Sequence, residues 1–173
     1  MPLAQEFCDR IIRVRLLVFD FDGVFTENAV WVDENGLETV RCSRGDGLGI
    51  SLLRKAVPNL ELLVLSTEEN PVVSRRCEKL KLRAIHGVAD KGIRLKNLAI
   101  ESNISLDQIA YVGNDINDQS CLMLCGLPIV VADAHPDVVL LGQIRTQCKG
   151  GHGAVREICD LFIRCFAANA ALL

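Results

Sequence analysis

Aromatic side chains make up only 5% of the 173 residues, with one tryptophan and one tyrosine, and only five prolines interrupt the chain. Half of the residues are nevertheless hydrophobic, so the core must be built mainly from Val, Ile and Leu, as in an α/β domain. A basic excess is also missing. The 19 Lys and Arg are outnumbered by 22 Asp and Glu, giving a net charge of -3 and a pI near 5.6. That leaves no field for gripping nucleic acid, and no basic stripe or repeat compensates. No apolar run approaches the ~20 residues of a membrane helix, and the opening Met-Pro-Leu-Ala-Gln-Glu has no basic n-region or cleavage site. Neither nucleic acid nor a membrane is an expected partner, and a cytoplasmic location is expected. None of the eight cysteines forms a Cys-x-x-Cys, and Cys77, Cys121, Cys125, Cys159 and Cys165 fall on apolar helix positions. Buried reduced thiols in a reducing compartment are expected, rather than disulfides or zinc. His86, His135 and His152 lack ligand spacing and read as structural or peripheral.

What the chain does have is alternation. Strand-like runs at 14–19, 60–65, 83–86, 109–112 and 128–132 alternate with helix-like segments near 47–57, 71–81, 91–102, 116–125 and 153–167. This predicts an α/β fold with a parallel sheet flanked by helices, and the length suits one domain spanning 1–173. Periodicity supports the helices: Ile50, Leu53 and Val57 share a face, as do Ala154, Ile158, Leu161 and Cys165. Ser105 starts a capping-box spelling before a short run and reads as a single turn. Within residues 24–44, Ala29-Val30-Trp31-Val32 and Glu38-Thr39-Val40-Arg41 flank Asp33-Glu34-Asn35-Gly36, which predicts a β-hairpin.

Four places carry chemistry. Asp20 and Asp22, in Phe19-Asp20-Phe21-Asp22-Gly23-Val24-Phe25-Thr26, lie one residue apart at the end of an apolar strand. Extended backbone would point both carboxylates the same way, and like charges this close repel unless a cation or a shared proton intervenes. A divalent metal is the natural remedy. Ser66 follows the apolar strand Leu62-Leu63-Val64-Leu65, and Lys91 opens a helix with Leu95, Leu98 and Ala99 on one face. Taken singly, a cap and a solvated lysine would explain these two. In Gly113-Asn114-Asp115-Ile116-Asn117-Asp118, however, four oxygen-bearing side chains in five residues exceed what a helix cap needs, and hard oxygen donors suit Mg²⁺.

Together these motifs, in this order, resemble the haloacid dehalogenase (HAD) superfamily of phosphohydrolases. The resemblance implies a Rossmann-like HAD fold with a minimal hairpin cap over residues 24–44. It also implies Asp20 as nucleophile, Asp22 as general acid and base, and Ser66 and Lys91 against the phosphoryl oxygens. Mg²⁺ would be held by Asp20, Asp22 through its backbone carbonyl, and Asn114, with Asp115 and Asp118 orienting metal waters and Lys91. A receiver domain uses similar groups, but its acidic pair and phosphorylated Asp lie on different strands, whereas Asp20 and Asp22 share one.

The likeness narrows further. The Asp20–Thr26 stretch, the hairpin, Arg44-Gly45-Asp46-Gly47-Leu48-Gly49-Ile50, Arg76, Lys91, Val131-Ala132-Asp133-Ala134-His135-Pro136 and Gly150-Gly151-His152-Gly153-Ala154-Val155-Arg156-Glu157 are similar to the 3-deoxy-manno-octulosonate 8-phosphate phosphatases over nearly the whole chain. This implies a phosphorylated keto-deoxy sugar acid, octulosonate or nonulosonate, as substrate, with Asp46, Gly47 and Arg76 lining its entrance. It also implies a homotetramer, because a cap of ~20 residues has no core of its own and leaves the site open. The carboxy-terminal domain of animal CMP-sialic acid synthetases is also similar, and implies the alternative of a non-catalytic oligomerisation or regulatory module. The chain departs from the octulosonate pattern at Gly45, where the phosphatases carry Arg. It departs again at Thr67-Glu68, where a Gly-Arg pair is usual, and at Asn114, where Asp is usual. The first two departures imply that octulosonate 8-phosphate is not the best substrate, and the third implies a lower metal affinity or a ligand role for Asp115 instead.

Overall fold

The computed structural model describes residues 5–171. Six parallel strands form one sheet: β1 (Leu16–Phe19), β4 (Glu61–Leu65), β5 (Arg83–Ile85), β6 (Ile109–Gly113), β7 (Leu127–Val130) and β8 (Ile144–Arg145), in the order β5-β4-β1-β6-β7-β8. The central strand β1 is buried along its whole length, as is β6, which explains why both read as unbroken apolar runs rather than alternating ones. Parallel neighbours need crossovers, and these are supplied by α2 (Arg44–Ala56), α3 (Val72–Leu80), α4 (Lys91–Glu101), α5 (Gln119–Leu124) and α6 (Pro136–Val139). The terminal helices α1 (Gln5–Ile11) and α7 (Ala154–Ala170) pack on each other, and α7 also covers α2. From β1 the chain builds outward to β4 and β5, then returns to place β6 on the other side of β1. Sites in open α/β sheets form at such a reversal, at the carboxyl ends of the strands.

The hairpin is present as β2 (Trp31–Val32) and β3 (Glu38–Thr39), paired antiparallel, with a bridge between Thr26 and Cys42 at its root. Its turn is closed by Asp33, whose Oδ1 accepts from the amides of Asn35 and Leu37 at 2.9 Å each, and by Gly36 at φ 78°. The segment expected as a helix over 116–125 begins as a 3-10 turn, Ile116–Asp118, before α5. Asp115 and Asp118 cap that turn reciprocally, which tightens it. Ser105 heads a 3-10 turn, Leu106–Gln108, in keeping with the single turn expected there. The helix α1, the four-residue α6 and the two-residue β8 have no counterpart among the predicted elements.

The cysteine reading needs one correction. Cys8 on α1 and Cys165 on α7 form a disulfide, their Cα atoms 5.0 Å apart across a sequence separation of 157. Such a separation offers no motif, and the pair exists because α1 docks on α7. Thiol state therefore gives no argument for a reducing compartment. Cys77, Cys121, Cys125 and Cys159 are buried and free, and burial pushes the Cys77 and Cys121 thiols up to about 12. Among the described residues no helix is long and apolar enough to cross a membrane.

Candidate active site

At the end of β1 the Asp20 amide makes the last ladder bond, to Val112 O at 2.9 Å, and the chain then turns under the cleft. Phe21 O accepts from the amides of Val24, Phe25 and Thr26, while Phe25 packs edge-on to Phe19 and stacks with Phe21. Those rings bolt the turn into the core, so the carboxylates before and after Phe21 are left facing the cleft. Gly23 completes the turn at φ 80°, and a Cβ there would lie 2.1 Å from the Asn114 side chain. Thr26 Oγ1 accepts from the Gly23 amide at 3.1 Å. The cleft, about 280 Å³, is lined by Asp20, Asp22, Asn28, Ser66, Thr67, Asn114, Asp115 and Asn117.

Beneath it lies a buried charge cluster. Lys91 Nζ sits 2.6 Å from Asp20 Oδ1 and 2.8 Å from Asp118 Oδ1, with all three side chains nearly solvent-free. Asp118 also accepts from Tyr111 Oη at 2.6 Å and from the Asn114 and Asp115 amides at 2.8 and 3.3 Å. Burial alone would depress the Lys91 ammonium, but Asp20 and Asp118 outweigh it and hold its pKa above the ordinary value. Burial, then the Asp118 charge, push the Asp20 carboxyl up, against the pull of Lys91. Burial, followed by Glu68, also raises Asp22, which is the direction a general acid requires. Ser66 is buried at the end of β4, its Oγ accepting from the Glu68 amide at 3.0 Å.

The donor set fits a hard cation. The tip of the Asn114 amide lies 3.1 Å from Asp20 Oδ2 and 2.8 Å from the Asp22 carbonyl oxygen. With its NH₂ turned that way it donates to both, and with its oxygen turned that way three oxygens face one another with no hydrogen between them. A bound cation reconciles the second arrangement. Among the described residues no three His, Cys, Asp or Glu side chains form a metal cage; the donors here are one carboxylate, one carbonyl and one amide. That is a set suited to Mg²⁺, which takes one or two carboxylates and leaves positions for water and phosphate. Asp115 turns its Oδ1 to the Ile116 amide at 2.7 Å.

Three residues expected at the substrate entrance do not line the cleft around Asp20 within one chain. Asp46 is fully buried in the first turn of α2, with Oδ1 accepting from the Arg156 amide at 2.9 Å. Arg76 donates to Ser43 O at 2.9 Å, and a Cβ on Gly47 would come within 3.5 Å of that guanidinium. The three meet where α2, α3 and α7 converge, and none of them lines the cleft around Asp20. The reason is the register of α2: Ser43 caps it, so Asp46 falls on the face turned toward α7. Conversely, sequence reasoning missed Tyr111, concealed in an apolar strand, and Asn28, which no motif marks.

The model for haloacid dehalogenase-like hydrolases matches residues 73–158. The chain is 31% identical over 163 residues to 3-deoxy-D-manno-octulosonate 8-phosphate phosphatase KdsC of Salmonella typhi, covering 94% of this chain and 86% of that protein. The structure of a Moraxella catarrhalis 3-deoxy-D-manno-octulosonate 8-phosphate phosphatase, in complex with magnesium, phosphate and KDO, superposes with TM-score 0.89 at 27% identity, covering 98% and 99% of the two chains. A Streptomyces avermitilis structure described only as a HAD family hydrolase shares 44% identity, with TM-score 0.83 over 87% of this chain and 85% of that one. The chain thus belongs to the haloacid dehalogenase-like hydrolases, within the family of the 3-deoxy-D-manno-octulosonate 8-phosphate phosphatases.

Proposed function

We propose that the protein is a Mg²⁺-dependent phosphomonoesterase, one domain in extent, that hydrolyses a phosphorylated keto-deoxy sugar acid through an aspartyl phosphate. The observation that carries this reading is the buried Lys91 drawn onto Asp20 at 2.6 Å beside the converging oxygens of Asp20, Asp22 and Asn114. Asp20 attacks phosphorus, the bond from phosphorus to the ester oxygen breaks, and Asp22 as a carboxylic acid delivers its proton to the departing alkoxide. The Asp22 carboxylate then takes a proton from water as that water attacks the acyl phosphate, releasing phosphate and restoring Asp20. Lys91 and Ser66 stabilise charge on the phosphoryl oxygens. Mg²⁺, held by Asp20, the Asp22 carbonyl and Asn114, supplies further positive charge there when bound. Asp118 fixes the Lys91 ammonium and the Asn114 backbone.

Relatives named as octulosonate 8-phosphate phosphatases support the substrate class and favour an enzyme over an assembly module. A homotetramer is part of the same reading, because the short hairpin leaves Val30, Trp31, Val32 and Leu37 exposed. So is a cytoplasmic location, since phosphorylated sugars are charged and do not cross a bilayer unaided. Phosphate release from octulosonate 8-phosphate and nonulosonate 9-phosphates, with Mg²⁺ and then with excess EDTA, tests the reading. Turnover that EDTA abolishes and Mg²⁺ restores is expected, and no release from any ester would overturn it.

A further inference from the structure

The peptide that joins Asp22 to Gly23 carries one of the proposed metal donors, the Asp22 carbonyl, and groups outside the cleft set its orientation. Its N–H donates to Thr26 Oγ1 at 3.1 Å. From behind, the loop between β8 and α7 presses two glycines onto the same turn. A Cβ on Gly150 would overlap Gly23 O, and one on Gly151 would overlap the Thr26 carbonyl carbon and the Glu27 amide. The Gly151 amide also donates to Val24 O at 3.0 Å. With no room for a side chain between the two segments, the turn keeps its position only while the loop keeps its own.

Glu157, in the first turn of α7, holds the loop. Its Oε2 accepts from the Gln147 and Cys148 amides at 3.0 and 2.9 Å, and its Oε1 accepts from the Gln147 amide at 3.0 Å. Thr146 Oγ1 donates to Cys148 O at 2.6 Å, and Asp133 Oδ1 accepts from the Gly150 amide at 3.0 Å. Amides given to a carboxylate are charge-assisted bonds, which fix a loop that has no ladder or helix of its own. Neither Glu157 nor Thr146 lines the cleft, and all of these contacts are made within one chain.

We infer that Glu157 is a positioning residue for the metal site: through the Gly150–Gly151 loop it fixes the Asp22–Gly23 peptide, and with it the direction of the Asp22 carbonyl. The inference rests on the phosphatase reading for the reaction that the metal serves. A carbonyl donor that is free to turn away has to be ordered when the cation binds, which weakens Mg²⁺ without touching the ester.

Calorimetric titration with Mg²⁺, without substrate, reads this in the wild type and its variants. Glu157→Asp keeps the charge at the start of α7 but is one methylene too short for the loop amides. Glu157→Gln loses the charge but keeps an oxygen where Oε2 accepts from both amides. Asp160→Ala removes the ion pair to Arg156 on the same helix and controls for lost helix stability. Glu157→Asp should raise the Mg²⁺ Kd at least about fivefold, whereas Glu157→Gln and Asp160→Ala stay within about twofold of wild type. Thr146→Val loosens the loop from a second side and should raise the Kd as well. A Kd that neither Glu157→Asp nor Thr146→Val moves would overturn the positioning role, and so would a rise as large in Glu157→Gln as in Glu157→Asp, which would assign the effect to charge alone. The expected order of Kd values with no turnover of any phosphate ester would overturn the phosphatase reading and uphold this one.

Discussion

Lys91 and Asp20 form an ion pair of 2.6 Å with neither side chain appreciably exposed. Removing one partner from such a pair leaves an uncompensated buried charge, typically costing about 3–5 kcal/mol. Here Lys91→Ala would strand both Asp20 and Asp118. Urea unfolding without metal should show that loss, and saturating Mg²⁺ should recover part of it by supplying Asp20 with another cation. A Lys91→Ala protein as stable as wild type would contradict the proposed balance of charges.

Asn114, rather than Asp115, points at Asp20 and at the Asp22 carbonyl, while Asp115 spends Oδ1 on the Ile116 amide. Asn114→Ala should therefore raise the half-saturating Mg²⁺ concentration by about tenfold or more, with a smaller change in substrate KM. Asp115→Ala should raise it less. The reverse order, measured by Mg²⁺ titration of phosphate release, would transfer the ligand role to Asp115.

Gly23 is needed twice, for its φ of 80° and because a Cβ would collide with Asn114 at 2.1 Å. Gly23→Ala should cost about 1–3 kcal/mol of stability and should weaken Mg²⁺ dependence at the same time, because the side chain it displaces is a proposed ligand. Thermal melts and Mg²⁺ titration on one sample check both. A variant that loses stability but keeps wild-type Mg²⁺ affinity would show that Asn114 moves without consequence.

The fold was legible wherever hydrophobic pattern and turn chemistry agreed: five of the six sheet strands, the hairpin turn at Asp33 and Gly36, and α4 with Leu95, Leu98 and Ala99 on its buried face. Strand β8 escaped notice because two residues cannot show a period, and the Cys8–Cys165 link because it depends on α1 meeting α7. Within the candidate site, Asp20, Asp22, Ser66 and Asn114 were legible from strand ends taken together with the motif order that resembles the HAD superfamily, and all four line one cleft. Asp46 could not. The family resemblance alone implied a substrate contact for it, and only the packing of α2 on α7 reveals that its carboxylate faces the Arg156 amide.

The exposed hairpin residues Trp31 and Val32 should lie in a subunit interface. Light scattering is expected to give about four times the 19.0 kDa of the single chain, and Trp31→Glu should lower that mass, since a buried interface tolerates an unpaired charge poorly. A wild-type protein running as a monomer at micromolar concentration would remove the case for shared coverage of the cleft.

The central claim is that Asp20 is the nucleophile of a phosphatase, and the most direct measurement is phosphate release by Asp20→Asn in saturating Mg²⁺ with octulosonate 8-phosphate. The substitution is nearly isosteric, and a carboxamide cannot form the acyl phosphate. Turnover should fall by at least about a thousandfold while circular dichroism and the melting transition show a folded protein. Retention of more than about a tenth of wild-type turnover by a folded Asp20→Asn protein would contradict the account.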